Sequence, residues 1–126
     1  MKNIVIFLLL ILSLPFISSC AVILAGSAGA GTVAYIKGEL QTNLEAPLEK
    51  SIEATNRAIG NLKFIIISKE VDKLAGEIIA RTTQDQKITI KLNKVTENTT
   101  KISIRVGIFG DQTLSRNVLD EIKKEL

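Results

Sequence analysis

Residues 87–92 read Lys-Ile-Thr-Ile-Lys-Leu, and residues 100–106 read Thr-Lys-Ile-Ser-Ile-Arg-Val. Apolar and polar side chains alternate in both segments, which is typical of β-strands with one buried face and one face in water. Residues 96–98, Thr-Glu-Asn, favour a turn between the two segments. The sequence therefore predicts an antiparallel sheet with one solvent-exposed face.

Three further segments are predicted to complete this sheet. Residues 64–68 form a continuous β-branched run, residues 77–82 alternate, and a turn at residues 72–76 connects them. Residues 33–41 also alternate and are predicted as a single first strand. The sheet is therefore expected to have about five strands.

Two amphipathic helices are predicted, one after the first strand and one at the C-terminus. The first follows Pro47 and ends near Gly60. Its apolar stripe has spacings of four, three, four and three residues: Leu48, Ile52, Thr55, Ile59 and Leu62. The second is expected to begin at Asp111, a favourable N-cap residue, and to run to about Lys124.

The predicted order of elements is β-α-β-β-β-β-α. One apolar sheet face and two amphipathic helices favour a two-layer α+β domain over residues 33–126, with both helices on the same face of an antiparallel sheet. The helices are expected to grip a curved sheet in a helix-grip-like arrangement. No internal repeat indicates a second domain.

The N-terminal region has the three parts of a secretory signal. Lys2 precedes the apolar residues 4–12, and small residues follow before Cys20, the single cysteine of the chain. Residues 17–20, Ile-Ser-Ser-Cys, resemble the bacterial lipobox. This resemblance implies a signal peptide over residues 1–19, cleavage before Cys20, and acylation of Cys20.

Residues 20–32 are then predicted to be an acylated cysteine and a flexible Gly/Ala-rich tether near the membrane surface. In one alternative, Gly26 and Gly29 let this segment pack closely in or on the bilayer. In another, the leader is not cut, and the uncharged residues 3–36 anchor the chain. In enterobacterial lipoproteins an aspartate after the cysteine favours the inner membrane, so the resemblance to lipoproteins implies the outer membrane for this chain, which has Ala21 there.

Composition limits the chemistry that the chain can perform. Lys and Arg number 16 against 13 Asp and Glu, and this weak excess does not indicate nucleic-acid binding. The chain lacks histidine, the commonest general base and metal ligand. It also lacks a phosphate-binding loop and metal-ligand spacing. We therefore expect no enzyme activity, no catalytic residues, no metal site and no cofactor other than the lipid on Cys20.

The polar face of the sheet is the first candidate binding site. Neighbouring strands are expected to bring four cations together there: Lys87, Lys91, Lys101 and Arg105. They could contact phosphate head groups, anionic glycan or an acidic partner. The alternative is a solvated face that keeps the sheet soluble and discourages aggregation.

The junction between the last strand and the last helix is the second candidate. Its glycines permit unusual backbone angles, and a helix N-terminus can bind an anion. The candidate residues are Gly107, Phe109, Gly110, Asp111, Ser115 and Arg116. The alternative is structural: a tight turn, a helix cap at Asp111 and a core plug formed by Phe109.

Over essentially the whole mature part, the chain resembles a family of short bacterial lipoproteins described only as a domain of unknown function: in the lipobox, in the Gly/Ala tether and in two segments of the domain. The two segments are residues 35–40, Tyr-Ile-Lys-Gly-Glu-Leu, and residues 104–111, Ile-Arg-Val-Gly-Ile-Phe-Gly-Asp, with Leu114 and Ser115 following. The resemblance supplies no catalytic residues. The order of elements is more loosely similar to the helix-grip domains of the lipoprotein component C of the outer-membrane barrel-assembly machine, which implies a role in the envelope.

The sequence thus predicts a lipid-anchored protein of the bacterial envelope that faces the periplasm. Its expected role is a non-enzymatic binding or scaffolding module, with the membrane and possibly another envelope protein as partners. The alternative function is a carrier that holds a small apolar ligand between sheet and helices.

Overall fold

The computed structural model describes residues 3–5 and 33–126. Residues 3–5 are helical, and Val33–Leu126 form a compact unit of their own. The predicted tether with Cys20, and all of the predicted signal peptide except residues 3–5, lie outside the described residues. Among the residues described, no helix has the length and apolar character needed to cross a bilayer.

The unit from Val33 to Leu126 is an α+β domain with a six-stranded sheet, and the predicted fold class is confirmed. The strand order is β1-β2-β6-β5-β4-β3, and every pair of neighbours is antiparallel. The elements are β1 (Ala34–Ile36), β2 (Glu39–Leu44), α1 (Leu48–Asn61), β3 (Ile65–Val71), β4 (Ala75–Arg81), β5 (Lys87–Thr96), β6 (Thr99–Val106) and α2 (Gln112–Glu125).

The prediction of a single first strand over residues 33–41 is wrong. Lys37 and Gly38 both have positive φ, at 51° and 83°, and Ile36 lies opposite Glu39. These are the features of a two-residue hairpin turn. Apolar and polar residues continue to alternate across the turn, so the sequence pattern gives no sign of the hairpin. The sheet consequently has six strands rather than about five.

The core fills the space between one face of the sheet and the two helices. The alternating apolar residues of β5 and β6 predicted to face inwards are buried, and α1 and α2 pack above them and against each other. The largest side chains with less than 2% exposure are Leu40, Leu44, Ile59, Ile78, Ile88, Ile90, Leu92, Ile102, Ile104 and Ile122. Both helices therefore lie on the same face, and the other face of the sheet is left open.

Strand β3 lies at an edge of the sheet, although its continuous apolar run is typical of a buried strand. Ile65 is 70% exposed, and Ile66 and Ile67 are also exposed. The register with β4 shifts between Ile66 and Ser68, and Lys69 follows. A bulge and a lysine are devices that discourage pairing with other chains at an edge strand.

Three turns meet at one end of the sheet, which we call the glycine end. They are the β1–β2 turn at residues 37–38, the β4–β5 turn at residues 82–86 and the β6–α2 turn at residues 107–110. The register places them together, because Glu39 lies opposite Arg105 and Arg81 lies opposite Lys87. This end contains the junction motif predicted from the sequence.

Candidate functional site

The open face of the sheet carries all four predicted cations on the neighbouring strands β5 and β6. The cross-strand pairs on this face are Thr89 with Arg105, Lys91 with Ser103 and Asn93 with Lys101, while Lys87 lies on the same face at the glycine end. The three lysines are exposed and Arg105 is half-buried. The structure thus brings the four cations onto one surface, as the alternation predicts.

Acidic residues from the flanking strands divide this surface. Glu39 of β2 lies opposite Arg105, and its Oε1 is 3.7 Å from the Arg105 Nε. Glu77 of β4 lies opposite Lys91. The middle of the open face is therefore a mixed-charge surface, a feature that sequence reasoning missed because it requires the strand order.

Glu39 organises a small polar groove at the centre of the open face. Its Oε2 accepts hydrogen bonds from the Ser103 hydroxyl at 3.2 Å and the Gln41 amide at 3.3 Å. The groove has a volume of about 380 Å³ and is also lined by Thr89 and Lys91. Donors and acceptors stand side by side here, so the surface can hydrogen-bond a partner that also offers both.

The glycines of the junction permit a close contact between two turns. A Cβ atom at Gly110 would lie 2.6 Å from the Gly38 Cα and 2.5 Å from the Tyr35 hydroxyl oxygen. Gly110 also has a φ of +83°, which L-residues with side chains rarely adopt. Gly107 shares the positive φ but has open space around it. The 107–110 turn is therefore packed backbone against backbone on the 37–38 turn.

Arg105 joins the same two turns from the open face. Its Nη2 donates a hydrogen bond to the Lys37 carbonyl oxygen at 2.6 Å, and its Nη1 donates to the Ile108 carbonyl oxygen at 3.3 Å. A planar guanidinium suits this arrangement because its donors point in fixed directions. Arg105 thus has a positioning role at the glycine end in addition to its place on the open face.

Asp111 caps helix α2, as predicted. Its backbone is extended, and its Oδ1 accepts a hydrogen bond from the Leu114 N–H at 3.0 Å. This bond satisfies one of the free donors of the first helical turn, and the negative charge suits the positive end of the helix dipole.

Asp111→Ala is expected to lower the free energy of unfolding by about 1 kcal/mol, because the Leu114 N–H loses its acceptor. Urea denaturation followed by circular dichroism measures this change. Asp120→Ala is the control, since Asp120 is an exposed residue in the interior of the same helix. Equal losses from the two substitutions would contradict the capping role.

The remaining junction residues are divided between the core and the surface. Ser115 is fully buried, and its hydroxyl has no hydrogen-bond partner within the described part of the chain. Arg116 is exposed. Phe109 is 91% exposed and Ile108 is 83% exposed, so the predicted core plug at Phe109 is wrong. The glycine contact holds the turn against β1 and β2, so the two apolar side chains project into solvent.

A second groove lies beside these two apolar residues at the glycine end. It has a volume of about 530 Å³ and runs between the 82–86 turn and the 107–110 turn. Its lining combines cations with apolar side chains: Arg81, Lys87, Arg105, Ile108 and Phe109. Within residues 3–5 and 33–126, no three Asp, Glu, Cys or His side chains are grouped to hold a metal ion.

The comparison with protein families covers almost the whole chain. A family described as "Protein of unknown function (DUF3568)" matches residues 3–125. The chain belongs to this family. The matched region includes both turns of the glycine contact and the whole of the open sheet face. Comparison with curated proteins finds no match.

Proposed function

We propose that the protein is a lipid-anchored lipoprotein of the bacterial envelope whose domain over residues 33–126 acts as a non-enzymatic binding module in the periplasm. The observation that carries the binding role is the open sheet face. Both helices lie on the opposite side, so Lys91, Lys101 and Ser103 remain accessible at the centre of the sheet.

The chemistry of the open face favours a protein partner of mixed charge. Cations alternate with Glu39 and Glu77 across the strands, and the groove at Glu39 offers hydrogen-bond donors and acceptors together. Complementary charge patterns set the orientation and the specificity of protein contacts. A uniformly anionic glycan would meet both carboxylates, so another envelope protein is the better match to this face.

The anchor is proposed from the sequence of the leader. The lipobox-like residues 17–20 place Cys20 at the start of the mature chain, and residues 21–32 then connect it to β1. Twelve extended residues span at most about 40 Å, so the domain would remain close to the bilayer. Ala21 favours the outer membrane, and the loose similarity to the barrel-assembly lipoprotein supports a role in envelope assembly.

The carrier alternative receives less support from the packing of the domain. An apolar ligand held between sheet and helices needs a cavity in addition to the core. Ile90, Ile104 and Ile122 are among the side chains in that space with 0% exposure, and Ile78, Leu92 and Ile102 around them are equally buried. The interior is thus filled by the chain's own side chains.

Lys91→Glu combined with Lys101→Glu is expected to reduce capture of the envelope partner severalfold. Both lysines lie on the open face, and glutamates in their place would repel the acidic groups of a partner whose charges match the lysines. Crosslinking in intact cells, followed by isolation of the full-length protein, measures this loss. The control is Lys50→Glu with Lys123→Glu, which makes the same charge change on the helices. Unchanged capture by the sheet-face variant would contradict the proposal.

A further inference from the structure

We propose that the glycine end docks on an anionic phospholipid surface, with Ile108 and Phe109 inserted among the acyl chains and nearby lysines at the level of the head groups. This inference rests on the proposed membrane attachment of the chain, but it concerns the glycine end, which shares only the cations Lys87 and Arg105 with the open sheet face and includes neither Lys91 nor Lys101. It assigns a second membrane contact to the folded domain itself.

Two large apolar side chains are exposed on a fixed turn at the glycine end. Only two of the four phenylalanines follow residue 32, and of these Phe64 is half-buried whereas Phe109 is 91% exposed. The neighbouring Ile108 is 83% exposed. The close contact of Gly110 with Gly38 fixes the turn that presents them. This backbone arrangement gives the two side chains no packing role in the core.

Exposed lysines surround the tip formed by Ile108 and Phe109. Lys37 lies in the turn that packs against the 107–110 turn, and Lys87 lines the groove beside Phe109. Within residues 33–126, neither lysine forms an ion pair. The acids at this end are already engaged: Asp85 lies 3.0 Å from Arg81, Glu39 pairs with Arg105, and Asp111 caps helix α2.

This combination of apolar tip and unpaired cations matches the surface of an anionic bilayer. Membrane-surface segments place apolar side chains at the boundary of head groups and acyl chains, and keep cations on the wet side. Each lysine near an anionic leaflet contributes about fivefold to the binding constant. A protein pocket for Phe109 would require complementary acids near Lys37 and Lys87, and a bilayer supplies anions on every side of the tip.

The connection to Cys20 is compatible with this orientation. Residues 21–32 lead into β1, and β1 ends at Ile36, next to the 37–38 turn. The tether can span at most about 40 Å when extended. The tip can therefore reach the bilayer that holds the acyl chains.

The test uses the absence of tryptophan from the chain. Phe109→Trp in the full-length protein supplies a single tryptophan at the tip, whose emission is excited selectively over that of Tyr35. The protein is incorporated into vesicles of phosphatidylcholine alone, and into vesicles of equal parts phosphatidylcholine and phosphatidylglycerol. We expect a blue-shifted emission that brominated acyl chains quench severalfold more strongly in the anionic vesicles.

Two controls separate docking from mere attachment. Leu74→Trp places the fluorophore at a 67% exposed site at the opposite end of the sheet, and its emission is expected to stay at the solvent position. Lys37→Glu with Lys87→Glu is expected to weaken docking at least about tenfold in the anionic vesicles. Lys50→Glu with Lys123→Glu provides the same charge change elsewhere and is expected to leave the quenching unchanged.

An emission of Phe109→Trp at the solvent position in both kinds of vesicle overturns the proposal, whichever way the chain is attached. The same result would favour binding of Ile108 and Phe109 in a pocket of a partner protein. Equal quenching at Phe109→Trp and Leu74→Trp also overturns it, because it would mean unoriented contact with the bilayer. Neither outcome bears on the open sheet face, which the capture experiment tests separately.

Discussion

Gly110→Ala is expected to lower the free energy of unfolding by about 3 kcal/mol or more. The substitution would place a side chain on a left-handed backbone and would bring its Cβ atom into steric overlap with Gly38 and Tyr35. The added methyl group would lie 2.6 Å from both the Cα and the carbonyl oxygen of Gly38, and 2.5 Å from the Tyr35 hydroxyl oxygen. Two of these contacts are with backbone, which cannot rotate away. The β1–β2 hairpin and the 107–110 turn would have to separate.

The other glycines provide matched controls for this prediction. Gly107 also has a positive φ, +70°, but a Cβ added there would meet no atom within 4 Å, so for Gly107→Ala we expect a loss of only about 1 to 2 kcal/mol. Gly60→Ala lies within α1, has open space and is expected to stabilise the domain by about 0.5 to 1 kcal/mol. Urea denaturation of the three variants beside the parent protein measures the series.

The order of the three effects is the decisive result. Similar losses for Gly110→Ala and Gly107→Ala would mean that backbone strain alone matters, and that the two turns do not pack as closely as described. A large loss confined to Gly110→Ala would support the glycine contact as the element that fixes the tip at Ile108 and Phe109.

Cys20→Ser is expected to remove the protein from the outer-membrane fraction of bacterial cells. The reason is that one acyl chain binds a bilayer only reversibly, whereas two or more on one residue give stable anchoring without a spanning helix. A serine cannot accept the thioether-linked diacylglycerol. Separation of inner and outer membranes, followed by detection of the protein, measures the change.

The control for this substitution is Ser18→Ala, which keeps small residues between Ile17 and Cys20. The resemblance to the lipobox predicts normal processing for that variant. An unchanged distribution of Cys20→Ser between the two membranes would contradict anchoring through Cys20.

The fold could be predicted from the sequence wherever one residue pattern corresponds to one element. Alternation at residues 87–92 and 100–106 specified β5 and β6, because one buried face forces a period of two. Asp111 predicted the start of α2, because its carboxylate can accept a hydrogen bond from a free N–H of the first helical turn. The 37–38 turn escaped prediction because the alternation continues across it, and because Lys-Gly is a weaker turn signal than Asn-Gly.

The candidate site was only partly predictable, because its properties depend on strands that are distant in sequence. The alternation placed Lys91 and Lys101 on one face, but it could not place Glu39 beside Arg105. The two glycines of the junction indicated a tight turn, but their partner Gly38 lies about 70 residues away along the chain. The structural interpretation of the junction included Phe109 as a plug, whereas the fixed turn presents its side chain to solvent.

The measurement that tests the central claim most directly is the intact mass of the protein purified from bacterial membranes, beside the Cys20→Ser variant. If Cys20 is the lipid anchor, the parent chain starts at Cys20 and carries added acyl mass, and the variant lacks that mass. An unprocessed chain in both samples, differing only by the substitution, would contradict lipid anchoring. Residues 3–36 would then be the membrane anchor, and the domain that follows would be attached through them.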